Sequence, residues 1–140
     1  IIKKIMTKEY MNDLTFRIMG GAIGGHQQLG PGLLESVYEK CFIKELELNH
    51  INYKSQCIIP LKYKGLDLDT ELRLDVLVED LICVELKAHE GLLPIHDAVL
   101  FSYMQKQQKP KGILINFHVT NIFKQGQKTL VNQFYAILPE

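Results

Sequence analysis

The sequence predicts a mixed α/β domain: one small sheet with helices covering it. Three observations carry this. Residues 34–48 repeat apolar side chains at helical spacing, with Leu34, Val37, Tyr38, Cys41, Phe42 and Leu48 on one face. Residues 72–78 and 82–87 instead alternate at period 2, as strands do. A further helix, from Pro94 or Ile95 to about Gln107, separates this pair of strands from a short apolar run, residues 113–117. The order is therefore helix, helix, three strands, helix, strand.

A chain of 140 residues with 46% hydrophobic residues suits one domain with a real core, spanning residues 1–140. Sixteen basic and sixteen acidic residues give net zero charge, so nothing advertises a strongly basic nucleic-acid binder. Cys41, Cys57 and Cys83 have no metal-type spacing, and an odd count in apolar surroundings suggests reduced thiols in a cytoplasmic protein. No apolar run approaches the ~18 residues of a membrane span. The opening Ile-Ile-Lys-Lys-Ile is too short for a signal peptide. It lacks an initiator Met, so residues 1 to about 6 read as a clipped or appended end, and residues 1–11 as an N-terminus outside the ordered domain.

The first helix is expected to begin at Asn12-Asp13, which offers an N-cap, and to run through Leu14, Ile18 and Ile23. Its glycine-rich middle, residues 20–25, weakens a helix by ~1 kcal/mol per glycine relative to alanine, which points to close packing against another element or to a break. Gly30-Pro31-Gly32 is a turn. On the second helix, Glu45 is the one polar exception on the apolar face. Residues 55–63 read as a strand in which Pro60 demands an edge position or a bulge. Lys64-Gly65 turns the chain into residues 66–78. Pro94 suits the first turn of the third helix, and residues 109–112 end it. The tail after His118 is ambiguous, with a last strand over 129–134 as one reading.

The chemistry concentrates on residues 73–87. Alternation puts Leu72, Leu74, Val76 and Val78 on one face and Arg73, Asp75 and Leu77 on the other. Ile82, Val84 and Leu86 form the apolar face of the next strand, opposite Cys83, Glu85 and Lys87. A tight turn near Glu79-Asp80, of two or three residues, places Asp75 and Glu85 opposite each other or one step off. Paired carboxylates are costly unless a cation sits between them. Two hard oxygen ligands suit Mg²⁺ or Mn²⁺, and Lys87 on the Glu85 face can hold a water or steady a charged phosphate transition state. The spacing alone is also that of an ordinary solvated charged stripe.

Motifs elsewhere lift the reading. Gly32-Leu-Leu-Glu35-Ser-Val-Tyr38-Glu-Lys follows His26-Gln-Gln-Leu-Gly-Pro, and Pro94-Ile-His96 and Gly112-Ile-Leu-Ile-Asn116-Phe117 come later. Together with Arg73-Leu-Asp75 and Val84-Glu-Leu-Lys87-Ala, the chain over about residues 12–132 closely resembles the GxxExxY protein family. That small prokaryotic group is assigned to the PD-(D/E)XK nuclease-like superfamily. The resemblance implies a restriction-endonuclease-like fold, a mixed sheet of about four strands flanked by α-helices. It implies Mg²⁺ or Mn²⁺ as cofactor and DNA or RNA as partner, with no membrane. It makes Asp75, Glu85 and Lys87 the superfamily signature and Glu35 the glutamate of the family's name motif, joining the metal site from a helix. It offers His26 as an upstream metal ligand.

Arg73, Tyr38 and Tyr103 are the candidate substrate contacts. Arg73 suits phosphate or merely balances the acids, and Tyr103 suits stacking on a base or packing in the core. Tyr38, one turn on from Glu35, suits a substrate contact or a core-edge ring whose hydroxyl steadies Glu35. His89 and His96 flank the Lys87 end, with His96 read as a cap of the third helix. One departure stands out: exonuclease-type members carry Gln-x-x-x-Tyr on the helix after the lysine, and here Val99 takes the glutamine's place. The leading expectation is a metal-dependent nuclease hydrolysing phosphodiesters. The rival, favoured by Val99 and the neutral charge, is an inactive nuclease-fold module binding nucleic acid or a protein. A homo-oligomer-forming structural protein is the third reading.

Overall fold

The computed structural model describes residues 6–140. Two helices lead, α1 (Lys8–Leu29) and α2 (Glu35–Leu48), followed by strands β1 (Tyr53–Tyr63), β2 (Leu66–Val78) and β3 (Ile82–Lys87). Then come α3 (Pro94–Gln107), β4 (Lys111–Asn116), α4 (Ile122–Gln125), β5 (Gln127–Val131) and α5 (Gln133–Ala136). The strands form one sheet in the order β1-β2-β3-β4-β5, five rather than the four implied by the resemblance. Among the described residues only β3 and β4 pair in parallel. A parallel pair needs a crossover, and α3 supplies it.

The sheet separates two apolar layers. On one side α1 and α2 pack Met11, Leu14, Ile18, Tyr38, Phe42 and Leu46 against Val76, Val78, Val84 and Ile115. On the other, α3 packs Leu100, Tyr103 and Met104 against Leu77, Cys83 and Leu114. With helices on both faces, β3 and β4 are buried throughout apart from Lys87 at the β3 end.

Helix α1 begins earlier than its sequence suggests. Thr7 caps it, its hydroxyl accepting from the Tyr10 amide at 3.0 Å, so residues 8–11 are helical rather than outside the domain. Asn12, the expected cap, lies inside the helix, and its side-chain oxygen accepts from Lys111 Nζ at 3.2 Å. Residues 1–5 lie outside the described residues. The glycine stretch does not break the helix. A Cβ on Gly21 would come within 3.2 Å of Glu45 Cβ, so glycine there admits the close approach of α2 at its one polar apolar-face position.

Pro60 sits where its missing N–H does least harm: β1 is an edge strand, and its register with β2 shifts between Pro60 and Lys62. The expected single apolar face of β2 is a correction. Val76 and Val78 belong to the α1–α2 layer, whereas Leu74 and Leu72 belong with Leu77 to the α3 layer. The alternation flips at Asp75. On β1 it flips at the position across from it, since Tyr53 packs with the first layer and Cys57 and Ile59 with the second. Gln56 lies at that flip with φ 51, a left-handed conformation that non-glycine residues seldom adopt.

Candidate active site

The β2–β3 ladder pairs Val78 with Ile82, Leu77 with Cys83 and Val76 with Val84, then stops. The next pair would be Asp75 and Glu85. Their side chains take over where the backbone bonds end. The Asp75 amide donates to Glu85 Oε1 at 2.9 Å, and the Leu86 amide donates to Asp75 Oδ2 at 2.8 Å. Each carboxylate is thereby fixed to the other strand, at the opening where the ladder stops. The Glu79-Asp80 turn sets this register: both residues have positive φ, and the Leu81 amide donates to the Val78 carbonyl at 2.9 Å.

Glu35 reaches the same opening from the first turn of α2. Its Oε1 accepts from the Ala88 amide at 3.2 Å and lies 3.1 Å from His89 Nε2. The Glu35 charge acts on both Asp75 and Glu85, so three carboxylates from a helix and two strands share one field. Lys87 Nζ stands 4.0 Å from Glu85 Oε2. Asn116, at the end of the parallel neighbour β4, braces the exit of β3. Its Oδ1 accepts from the His89 and His118 amides, both at 3.1 Å, and its Nδ2 donates to the His89 carbonyl at 2.9 Å. The site therefore lies off the carboxyl ends of the one parallel pair, where open α/β sheets place their ligands.

The electrostatics are those of anions short of a partner. Glu85 is only 8% exposed. Burial first, and then the neighbouring Asp75 charge, push its pKa up to about 7. Burial also raises Asp75, while the Leu86 amide and Lys87 pull it back. Glu39, one turn after Glu35, is raised as well, by burial and then by Asp75 and Glu35 against the opposing pull of Gln56. Carboxyls that crowd until they resist ionising are what a divalent cation relieves. Among the described residues no group of three histidine, cysteine or acidic side chains forms a ready-made metal cage. The donor set nonetheless fits a hard ion: carboxylate oxygens, no sulfur, and a lysine standing at one side.

Not every candidate from the sequence joins this opening. His26 is 6% exposed, and its Nε2 meets the Phe117 carbonyl at 3.1 Å. That bond ties α1 to the segment after β4, a structural role in place of the expected metal ligation. Tyr38 is 1% exposed and stacks on Phe117 with ring centroids 4.5 Å apart. It is neither a substrate contact nor a partner of Glu35. Its hydroxyl donates to the Gly30 carbonyl at 2.5 Å and accepts from the Leu33 amide at 3.1 Å. It clamps the turn that launches α2, and so fixes where Glu35 begins. Tyr38→Phe is expected to cost about 1–2 kcal/mol, since it leaves a carbonyl and an amide at the turn without their partner; chemical denaturation checks this.

Tyr103 is likewise a core residue, packed with Cys83, Met104 and Leu114, and burial raises its hydroxyl pKa. Val99, one turn before it, is 40% exposed. Arg73 is exposed and pairs with Glu71 at 3.7 Å. His96 does cap α3, its Nδ1 accepting from the Leu93 amide at 3.1 Å. Three residues around the opening were not assigned from sequence: Glu39, His89 and Asn116. Glu39 had a signal, because four residues on from Glu35 is the same helix face. His89 and Asn116 had none beyond proximity to strand ends.

A mixed sheet flanked by helices, with an Asp and a Glu-x-Lys meeting where two central strands part, defines the restriction-endonuclease-like class. A family model described as the PD-(D/E)XK nuclease superfamily matches residues 12–130, and the chain belongs to that superfamily. No curated protein and no solved structure matches the chain significantly. No helix among the described residues is long and apolar enough to cross a membrane.

Proposed function

We propose that this protein is a metal-dependent nuclease hydrolysing phosphodiester bonds of DNA or RNA. What supports the reading is the pair of Asp75 and Glu85 locked together where β2 and β3 part, with Lys87 beside Glu85 and Glu35 held at the exit of β3. Mg²⁺ or Mn²⁺ would be held by Asp75 and Glu85, with Glu35 completing the set from α2. When bound, the ion supplies charge neutralisation at the phosphate and a lowered pKa for the attacking water.

The chain's own residues do the rest. Asp75 and Glu85 are preorganised by backbone amides, so little ordering remains when a ligand arrives. Lys87 carries a positive charge beside Glu85, placed to orient the water or to meet charge that builds on the phosphate. His89 holds Glu35 toward the β3 exit. Membership of the GxxExxY group is part of the same reading. The Gly32, Glu35 and Tyr38 spacing has a physical sense here, since Tyr38 pins the turn from which Glu35 is presented. Three free cysteines support a reducing, cytoplasmic setting.

Two measurements test the proposal. Mn²⁺ at a hundred times its dissociation constant is expected to stabilise the protein by about 2.7 kcal/mol, read as a thermal shift. Labelled single- and double-stranded DNA and RNA oligonucleotides are expected to be cut only when Mg²⁺ or Mn²⁺ is present. Absence of both effects in the folded protein would leave the rival reading, a nuclease-fold module that binds without cutting.

A further inference from the structure

We propose that Gln56 is a positioning residue that, anchored by Glu39, holds Asp75 in the pose from which it serves the site; this rests on the metal-dependent reading above. Gln56 lies on the edge strand β1, exposed to solvent, yet its backbone is left-handed at φ 51. That backbone lies where both strands exchange faces, so it sets which layer the residues on either side of Gln56 join.

Ladder pairing joins Ser55 to Val76 and Cys57 to Leu74, so Gln56 is the residue across from Asp75. Both strands flip their faces there. Gln56 Nε2 donates to Glu39 Oε1 at 2.8 Å and Oε2 at 3.1 Å. The Gln56 side chain also favours the ionised Asp75 carboxylate, and the Asp75 charge acts on Glu39. Asp75 thus has the Leu86 amide bonded to it from β3 and the Gln56 side chain across from it on β1. A primary amide suits this place. It offers two donors and no charge, so it can separate two carboxylates without taking the place of a cation. Glu39 orients the amide; it is not needed as a ligand.

Gln56→Gly is the incisive variant, because glycine accepts the left-handed backbone and removes only the amide. Its metal-free melting temperature should equal or exceed that of the wild type. Its Mn²⁺ affinity, by calorimetry, should fall about ten- to a hundredfold, the usual cost of losing an outer-shell partner. In the metal-free protein the Leu86 amide should exchange faster by NMR, since the carboxylate that caps it is no longer held from both sides. Glu39→Gln should keep near wild-type Mn²⁺ affinity, because its amide oxygen still accepts from Gln56. Unchanged affinity and unchanged Leu86 exchange in Gln56→Gly would overturn the proposal. A loss in Glu39→Gln as large as in Gln56→Gly would overturn it too, making Glu39 a ligand. If the wild type binds no Mn²⁺, the metal-dependent reading fails by itself. Leu86 exchange then still decides: faster supports the brace, unchanged refutes it.

Discussion

Lys87→Ala is expected to reduce the rate of phosphodiester cleavage about a hundred- to a thousandfold, the usual effect of deleting one preorganised group aimed at developing charge. The fold should survive. Lys87 is at the very end of β3, its side chain is 23% exposed, and its ion pair with Glu85 is long at 4.0 Å. Metal binding should survive as well, and for a physical reason. The Lys87 charge favours ionised Asp75 and Glu85, but it also competes for the same carboxylates and repels an incoming cation. The variant should therefore bind Mn²⁺ about as tightly as the wild type while kcat collapses. Lys87→Arg should not restore full activity, because a planar guanidinium cannot reproduce a compact ammonium at one point. Single-turnover cleavage at saturating Mn²⁺, with calorimetry on the same samples, separates the two effects. Cleavage at the wild-type rate in Lys87→Ala would remove Lys87 from the chemistry.

Much of the architecture was legible because it rests on local rules. Pro94 at the first turn of α3, Pro60 on an edge strand beside a register shift, and glycine where α1 meets α2 are all backbone statements that a sequence makes directly. The approximate opposition of Asp75 and Glu85 followed from hairpin geometry. What could not be read was set by tertiary contacts. The flip at Asp75 depends on the left-handed Gln56, and glutamine carries no signal for that conformation. The start of α1 was misplaced because Asn12 resembles a cap, yet its oxygen serves Lys111 from within the helix. His26, Tyr38 and Tyr103 were drawn toward the site by their chemistry, but all three are buried. A tyrosine hydroxyl that clamps a turn and one that touches a substrate look alike at helical spacing. The tail gave no clear period because β5 is five residues long and lies between two four-residue helices.

Glu85→Gln is expected to stabilise the metal-free protein at pH 8. Glu85 is buried, and its carboxyl is raised from 4.5 to about 7 by that burial and by Asp75. At about 1.4 kcal/mol per pH unit, holding it ionised in the fold costs about 3 kcal/mol, to the order of magnitude. The sign follows from linkage. A carboxyl raised in the folded state binds its proton more tightly there than in the unfolded chain. Its favourable contribution is complete below the unfolded value of 4.5 and is lost as pH rises through about 7. The raised Asp75 and Glu39 act in the same direction. Wild-type metal-free protein should therefore melt at a higher temperature near pH 5 than near pH 8. Glutamine keeps the shape and the oxygen that accepts from the Asp75 amide, but it has no charge to bury. At pH 8 the variant should melt on the order of 10 °C higher than the wild type. That advantage should shrink toward zero below pH 5, where the wild-type carboxyl is neutral. Mn²⁺ should reverse the ranking at pH 8: the wild type gains stability by binding, whereas the variant has lost a ligand and gains little. Calorimetric melting of both proteins from pH 4.5 to 8, with and without Mn²⁺, is the check. A variant no more stable than the wild type at pH 8, or one whose advantage is the same at every pH, would mean that the Glu85 charge is already paid for in the metal-free fold.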